Sequence, residues 1–221
     1  MKEVADGVWR LAEFPPLPAF NIYVAEDVLF DAGRTWDERR ILRQTGDREL
    51  SLLALTHVHP DHQGAVHAVC EKRGLPLACH VDDVDAMEGR RPVRASDAAI
   101  AKLYARLWEG PSHKVDRPLR EGDMVGEFRV IHTPGHARGE VVFWREADRV
   151  AIAGDTVRNL SFVTGRPRLD MMPRDLTPDV DEAARSIRKL AELRPAITLS
   201  GHGPPIRGHQ GLERIAERLG A

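Results

Sequence analysis

Residues 56–65, THVHPDHQGA, put His57, His59, Asp61 and His62 into a short stretch that directly follows the apolar run SLLAL. Imidazole nitrogens and carboxylate oxygens are the donors that suit zinc, manganese or iron. Pro60 disfavours helical geometry at the residue before it, so His59 is expected in extended backbone. Two residues apart on an extended chain, His57 and His59 then present their side chains on one face. Asp61 and His62 fall where the next helix starts and can project in another direction. A cationic imidazole is disfavoured at a helix N-terminus, which favours His62 as a neutral ligand.

Three later groups recur in one kind of context. His136 in TPGHARG, Asp155 in AIAGDT and His202 in LSGHGPP each follow an expected strand, in a turn containing glycine, where small neighbours allow close approach of backbone and ligand. Taken singly, each has a plain structural explanation: Asp61 as a helix N-cap, His136 as a turn residue, Asp155 as a strand-end hydrogen-bond acceptor. Together, five histidines and two aspartates provide enough donors for two metal ions, and a bridging carboxylate offsets part of the repulsion between two cations. Asp31, in LFDAG, reads equally as a turn carboxylate or as an acceptor that fixes a ligand imidazole from behind. His67, His80, His113, His132 and His209 have no place in this pattern and are expected to be structural or surface groups.

These residues need strands to end where they begin. GVWRLAEF and NIYVAEDVLFDAG, joined by the Pro-rich PPLPAF, read as antiparallel strands. TWDERRILRQTG reads as a short helix capped by Thr35 and closed by Gly46, leading into the strand LSLLALT. HQGAVHAVCEKRG is expected to be one helix ending at Gly74, and LPLACH the next strand. From about 81 to 120 the chain is charged, with one amphipathic helix from about Ala98 to Trp108, and is expected to be an insertion beside the core. Strands return in GEFRVIHTPGH, GEVVFWRE and DRVAIAGDT. A helix from about Asp179 to Leu193, the strand AITLSGHG and a terminal helix follow. Strands with helices in both halves predict an α/β layered fold without a solenoid repeat.

At 221 residues and 42% hydrophobic content, one domain spanning 1–221 can bury a sizeable core. The N-terminal MKEVADGVWRLAEF has acidic residues and no apolar run of signal-peptide length, and no later run is long enough to span a bilayer, so a cytoplasmic protein is expected. Cys70 and Cys79 are too few for a disulfide framework and lack zinc-site spacing; both are expected as buried thiols. A net charge of −2 gives no global attraction to nucleic acid or anionic membranes. The expected partner is a small-molecule substrate, with no nucleic acid and no membrane.

HVHPDH, TPGH, GDT and SGHG, in this order, resemble the metallo-β-lactamase superfamily over nearly the whole chain. The resemblance implies a four-layer αβ/βα sandwich with the site at one edge of two sheets. It also implies a pairing of ligands with metals: His57, His59 and His136 for one ion, Asp61, His62 and His202 for the other, and Asp155 between them. The cofactors expected are two divalent ions, zinc first, with manganese or iron as alternatives. The chemistry implied is hydrolysis by a dimetal-bound hydroxide of a thioester, ester or lactone, with Asp61 orienting the attacking group. Many true β-lactamases use a cysteine for the second metal, where this chain has Asp155. The ligand set looks more like glyoxalase II, but little chain follows His202 to supply the glutathione-binding domain of the longer enzymes. Two other readings stay open: a persulfide dioxygenase-like enzyme holding one iron by His57, His136 and Asp155, and a non-catalytic metal-stabilised binding module. EFPPLPAF and the segment around Tyr104 and Trp108 are expected to cover the metals, and Arg158, Arg166, Arg168 and Arg174 are possible anion contacts or members of a solvated loop.

Overall fold

The computed structural model describes residues 1–13, 19–93 and 96–220. Among them, β1 (Lys2–Ala5), β2 (Val8–Arg10), β3 (Tyr23–Ala25), β4 (Val28–Phe30), β5 (Leu52–Ala54), β6 (Leu77–His80) and β7 (Arg117–Leu119) form one sheet in sequential order. Pairing is antiparallel through β4 and parallel from β4 to β7. The parallel half needs crossovers, which α1 (Glu38–Thr45) and α3 (Val66–Arg73) supply. The second sheet contains β8 (Met124–Val125), β9 (Phe128–His132), β10 (Val141–Arg145), β11 (Val150–Gly154), β14 (Ile197–Ser200) and β15 (Ile206–Arg207), in the order β15-β14-β11-β10-β9-β8. β12 (Arg158–Asn159) and β13 (Leu169–Asp170) make a separate two-stranded ribbon.

Strand alternation assigns the layers. In β10, Val141 and Phe143 enter the core between the sheets, with Phe30 and Phe128, while Val142 and Trp144 face the opposite way. There they pack with Ile187 and Leu190 of α6 (Val180–Glu192) and with Leu212 and Ile215 of α7 (Gln210–Gly220). On the first sheet Leu29 and Leu53 point outward onto Ile41, Val66 and Val69 of α1 and α3. The layers run helix, sheet, sheet, helix, the expected αβ/βα sandwich, because each strand residue in turn serves a different core. No helix of the described residues is long and apolar enough to cross a membrane.

Local expectations differ from the structure at three places. Asp37, not Thr35, occupies the N-cap of α1, and its carboxylate serves the Arg34 backbone N–H and guanidinium instead of the helix N–H groups. The helix expected from His62 to Arg73 is two, α2 (Pro60–Gln63) and α3, broken at Gly64 and Ala65. Gly64 is pressed against the Arg34–Thr35 backbone, so a Cβ there would lie 2.3 Å from the Thr35 nitrogen. Within 81–120, α4 (Val84–Met87) and α5 (Ala99–Trp108) are helices, but Arg117–Leu119 joins the first sheet as its edge strand, so that part is not beside the core.

Candidate metal centre

Both sheets end at one edge, and the strand-end turns carry the side chains singled out above. His57 and His59 follow β5, with His59 extended at φ −115° and ψ 162°. Their rings lie 4.6 Å apart. α2 then turns Asp61 and His62 toward Asp155 at the end of β11 and His202 after β14, while His136 arrives from the turn after β9. Two groups of donor atoms result: His57, His59 and His136 in one, Asp61, His62, Asp155 and His202 in the other, with all atoms of a group within 4.8 Å of one another. Asp155 lies between them. Its Oδ2 is 3.1 Å from His202 Nε2 and 3.5 Å from His136 Nε2, and its Oδ1 is 3.5 Å from His62 Nε2. Glycine makes this approach possible: a Cβ on Gly201 would stand 2.4 Å from Asp155 Oδ1.

Surrounding groups aim the imidazoles. Asp31 is buried, and its carboxylate accepts the Thr56 backbone N–H at 2.8 Å and faces His62 Nδ1 at 2.9 Å. With Nδ1 donating to Asp31, His62 Nε2 points into the centre, where a bound cation would take the place of its proton. The Thr56 hydroxyl, which donates to Asp31 at 2.9 Å, is also 3.2 Å from His57 Nδ1 and can accept that N–H, leaving His57 Nε2 inward as well. His202 Nδ1 donates to the Ala19 carbonyl. Thr56 and two buried acids, Glu140 and Asp83, were not among the residues singled out from the sequence. Glu140 Oε1 accepts the Asp155 backbone N–H at 2.8 Å and lies 4.0 Å from His57 Nδ1. Asp83 accepts the N–H groups of Val58 and Gly139. Glu140 could have been noticed as a carboxylate opening the otherwise apolar run VVFW.

Whether these groups fit a cation is tested by what they lack. His57 Nε2, His62 Nε2 and Asp155 Oδ1 are fully buried with no hydrogen-bond partner, an arrangement costing about 1–3 kcal/mol per group unless another ligand satisfies it. His59 Nδ1 and His136 Nε2 face each other at 2.9 Å, a contact that needs either a shared proton or a cation between the two rings. Burial holds His57 well below the usual imidazole range, His59 at about 4 and His136 at about 3, so all three are neutral donors at pH 7. The other half behaves oppositely. Burial works against protonation of His62, but the carboxylates of Asp31 and Asp155 outweigh it and raise it well above the ordinary value; Asp155 and Asp61 likewise raise His202 to about 10. That half attracts positive charge, and the first offers neutral lone pairs. The residues fit divalent cations.

Beside the centre is a cavity of about 200 Å³, whose wall includes Tyr104 and Trp108 of α5 and reaches His59, Asp61, Asp155 and His202. Of the Pro-rich cover expected above, residues 14–18 lie outside the described residues, and Phe20 is on the wall. Tyr23 does not line the cavity: it lies in the core between the sheets with its hydroxyl donating to the Ser200 carbonyl. Arg158, Arg166, Arg168 and Arg174 do not line the cavity, and Arg158 and Arg168 pair with Asp170. His67 with Glu71 and His113, and His80 with Asp82 and His132, form two further donor groups away from the centre.

The model of the metallo-beta-lactamase superfamily matches residues 21–202. The probable metallo-hydrolase YflN of Bacillus subtilis is 32% identical over 219 residues, 87% of this chain and 82% of that protein. A hydroxyacylglutathione hydrolase of Methylobacterium nodulans is 33% identical over 121 residues, but the match covers only 55% of this chain and 39% of that enzyme. Among solved structures, the BLEG-1 B3 metallo-beta-lactamase superposes with a TM-score of 0.72 at 25% identity, covering 97% of this chain and all of that one. TTHA1623, solved in a di-iron-bound form, gives 0.68 at 29% identity, covering 94% and 98%. With the fold, the convergent histidines and aspartates and the family match in agreement, the chain belongs to the metallo-beta-lactamase superfamily.

Proposed function

We propose that this protein is a hydrolase that uses two divalent metal ions, zinc first, to cleave a thioester, ester or lactone. The observation that carries the reading is Asp155, whose Oδ2 lies near the Nε2 atoms of both His136 and His202 while its Oδ1 faces His62 Nε2.

Bound divalent cations supply Lewis acidity toward a carbonyl oxygen and depress the pKa of water, to about 7 in the best cases. In this reading His57, His59 and His136 would hold one ion and Asp61, His62 and His202 the other, and the Asp155 carboxylate between the two groups would offset part of the repulsion between the cations. Asp31 and Thr56 keep Nε2 of His62 and His57 directed inward, so the centre is organised before substrate arrives. Asp61, on the cavity wall, orients water toward the carbonyl carbon and accepts its proton. Water adds to that carbon, the bond to the leaving oxygen or sulfur breaks, and the proton taken by Asp61 passes to that atom, so that a carboxylic acid and an alcohol or thiol depart. Cys70 and Cys79 are free, buried thiols, in keeping with a reducing compartment such as the cytoplasm.

The test is elemental analysis of protein expressed without metal supplementation and kept from chelators and metal-affinity resin. About two zinc or manganese ions per chain is expected; about one iron, with oxygen uptake on persulfides, would replace this reading with the dioxygenase. Metal with no hydrolysis of any thioester, ester or lactone would leave only a binding module.

A further inference from the structure

The cavity beside the metal centre has two unlike surfaces. Its floor is His59, Asp61, His136, Asp155 and His202; the wall is Phe20, Tyr104, Trp108, Phe162, Met172 and Leu176. The wall is built rather than incidental. The Tyr104 and Trp108 rings stack at 4.2 Å and 13°, and Phe20 meets Trp108 edge-on at 5.2 Å. Phe20 and Phe162 also stand edge-on to the His202 ring, at 5.4 Å and 5.1 Å, so the aromatic surface runs up to the floor. No lysine or arginine among the described residues lines this cavity. Arg34 lies over Phe20, but its guanidinium is engaged by Glu13 and Asp37, and Arg158, over Phe162, is engaged by the Met171 carbonyl.

A carboxylate held against this wall would lose hydration and find only aromatic and aliphatic partners. An apolar group would exchange water for that wall with no such penalty. At about 200 Å³ the space falls below the usual drug-sized site, so the group it takes is compact.

We propose that the substrate is an uncharged ester or thioester carrying a compact apolar group, a phenyl ring or a short alkyl chain, next to the scissile carbonyl, and that Trp108 and Phe162 select for it. The inference rests on the hydrolase reading of the same site. It places glutathione thioesters, with their free carboxylates, outside the preferred class.

The experiment has a kinetic and a binding arm. Metal-loaded protein is assayed on N-acetylcysteamine thioesters of acetate, hexanoate and adipate, and on acetate esters of ethanol and benzyl alcohol, so that the acyl and leaving-group sides are compared separately. Hexanoyl over acetyl, or benzyl over ethyl, should gain about tenfold or more in kcat/KM, and hexanoyl should exceed adipoyl by a similar factor. Trp108→Ala should reduce the apolar preference to about threefold or less. Leu176→Arg, at the half-buried end of the otherwise exposed turn Arg174–Leu176, should raise adipoyl relative to hexanoyl without requiring a change in the core.

The binding arm uses chelator-treated protein and two ketones that cannot be hydrolysed, 4-phenyl-2-butanone and 4-oxopentanoate, observed by saturation-transfer NMR. Signal is expected for the phenyl protons, with loss in Trp108→Ala and Phe162→Ala, and none for the oxopentanoate. Equal response to both ketones, or a phenyl signal unaffected by both variants, overturns the proposal. Inactivity on every ester and thioester with selective phenyl binding retained instead counts against the hydrolase reading alone.

Discussion

Replacing Asp31 by asparagine separates the aiming of His62 from the folding of the chain around it. Asp31 has φ +63°, a left-handed conformation that asparagine tolerates, so Asp31→Asn avoids the backbone strain an alanine would add. The wild-type carboxylate, buried to 2% exposure, serves the Thr56 N–H at 2.8 Å, the Thr56 hydroxyl at 2.9 Å and His62 Nδ1 at 2.9 Å. An amide keeps one oxygen and presents an NH2 where another acceptor was needed. One or two charge-assisted bonds are therefore lost, at about 1.5–3 kcal/mol each, giving a stability loss of about 2–5 kcal/mol in chelator-treated protein. If the oxygen stays on Thr56, His62 loses the partner that fixes its tautomer, and metal affinity should fall about 10–100-fold. Urea denaturation with and without excess zinc, together with competitive zinc titration against a chromophoric chelator, measures both effects. Asp31→Asn with zinc affinity within about twofold of wild type would refute the aiming role, whatever its stability.

Asp155→Ala should lose metal and hydrolysis together, since both halves of the centre share this carboxylate; full occupancy with unchanged turnover would contradict the bridging assignment. In chelator-treated protein, stability should peak near pH 6.5. Below it the unfolded chain takes up protons that buried His57 refuses in the fold and that His59 and His136 refuse until about pH 4 and 3, and above it the unfolded chain releases protons that His62 retains beside Asp31 and Asp155 and that His202 retains until about pH 10. Each such group contributes a slope of about 1.4 kcal/mol per pH unit, and a flat profile of chemical denaturation from pH 5 to 9 would count against it. Cys70, raised to about 12 by burial, and Cys79, also raised by burial, should resist iodoacetamide at pH 8 in the folded protein and react in 6 M urea; rapid native labelling would show that the helix over the first sheet opens readily.

HVHPDH was legible because its chemistry is local. The proline extends His59, spacing of two puts His57 beside it, and the helix start redirects Asp61 and His62. The strands were legible through alternation: VVFW serves two cores in turn, and its sequence shows apolar residues throughout because both faces are covered. Where expectations failed, a distant backbone was responsible. The helix after His62 breaks because Gly64 packs against residues 34–35, and Thr35 does not cap because its backbone N–H donates to the distant Trp108 carbonyl and the helix starts two residues later, at Asp37.

By itself the sequence determined which donors exist, in what order, and that each stands at a strand end. Only the tertiary structure decided that Asp155 lies between two donor groups, that Asp31, Thr56 and Glu140 stand behind the imidazoles, and that α5 brings Trp108 over the cavity. The physical reason is distance along the chain: Asp31 and His62 are 31 residues apart and His202 and Asp155 are 47 apart, so no local periodicity encodes their contact. Packing two sheets at one edge creates it.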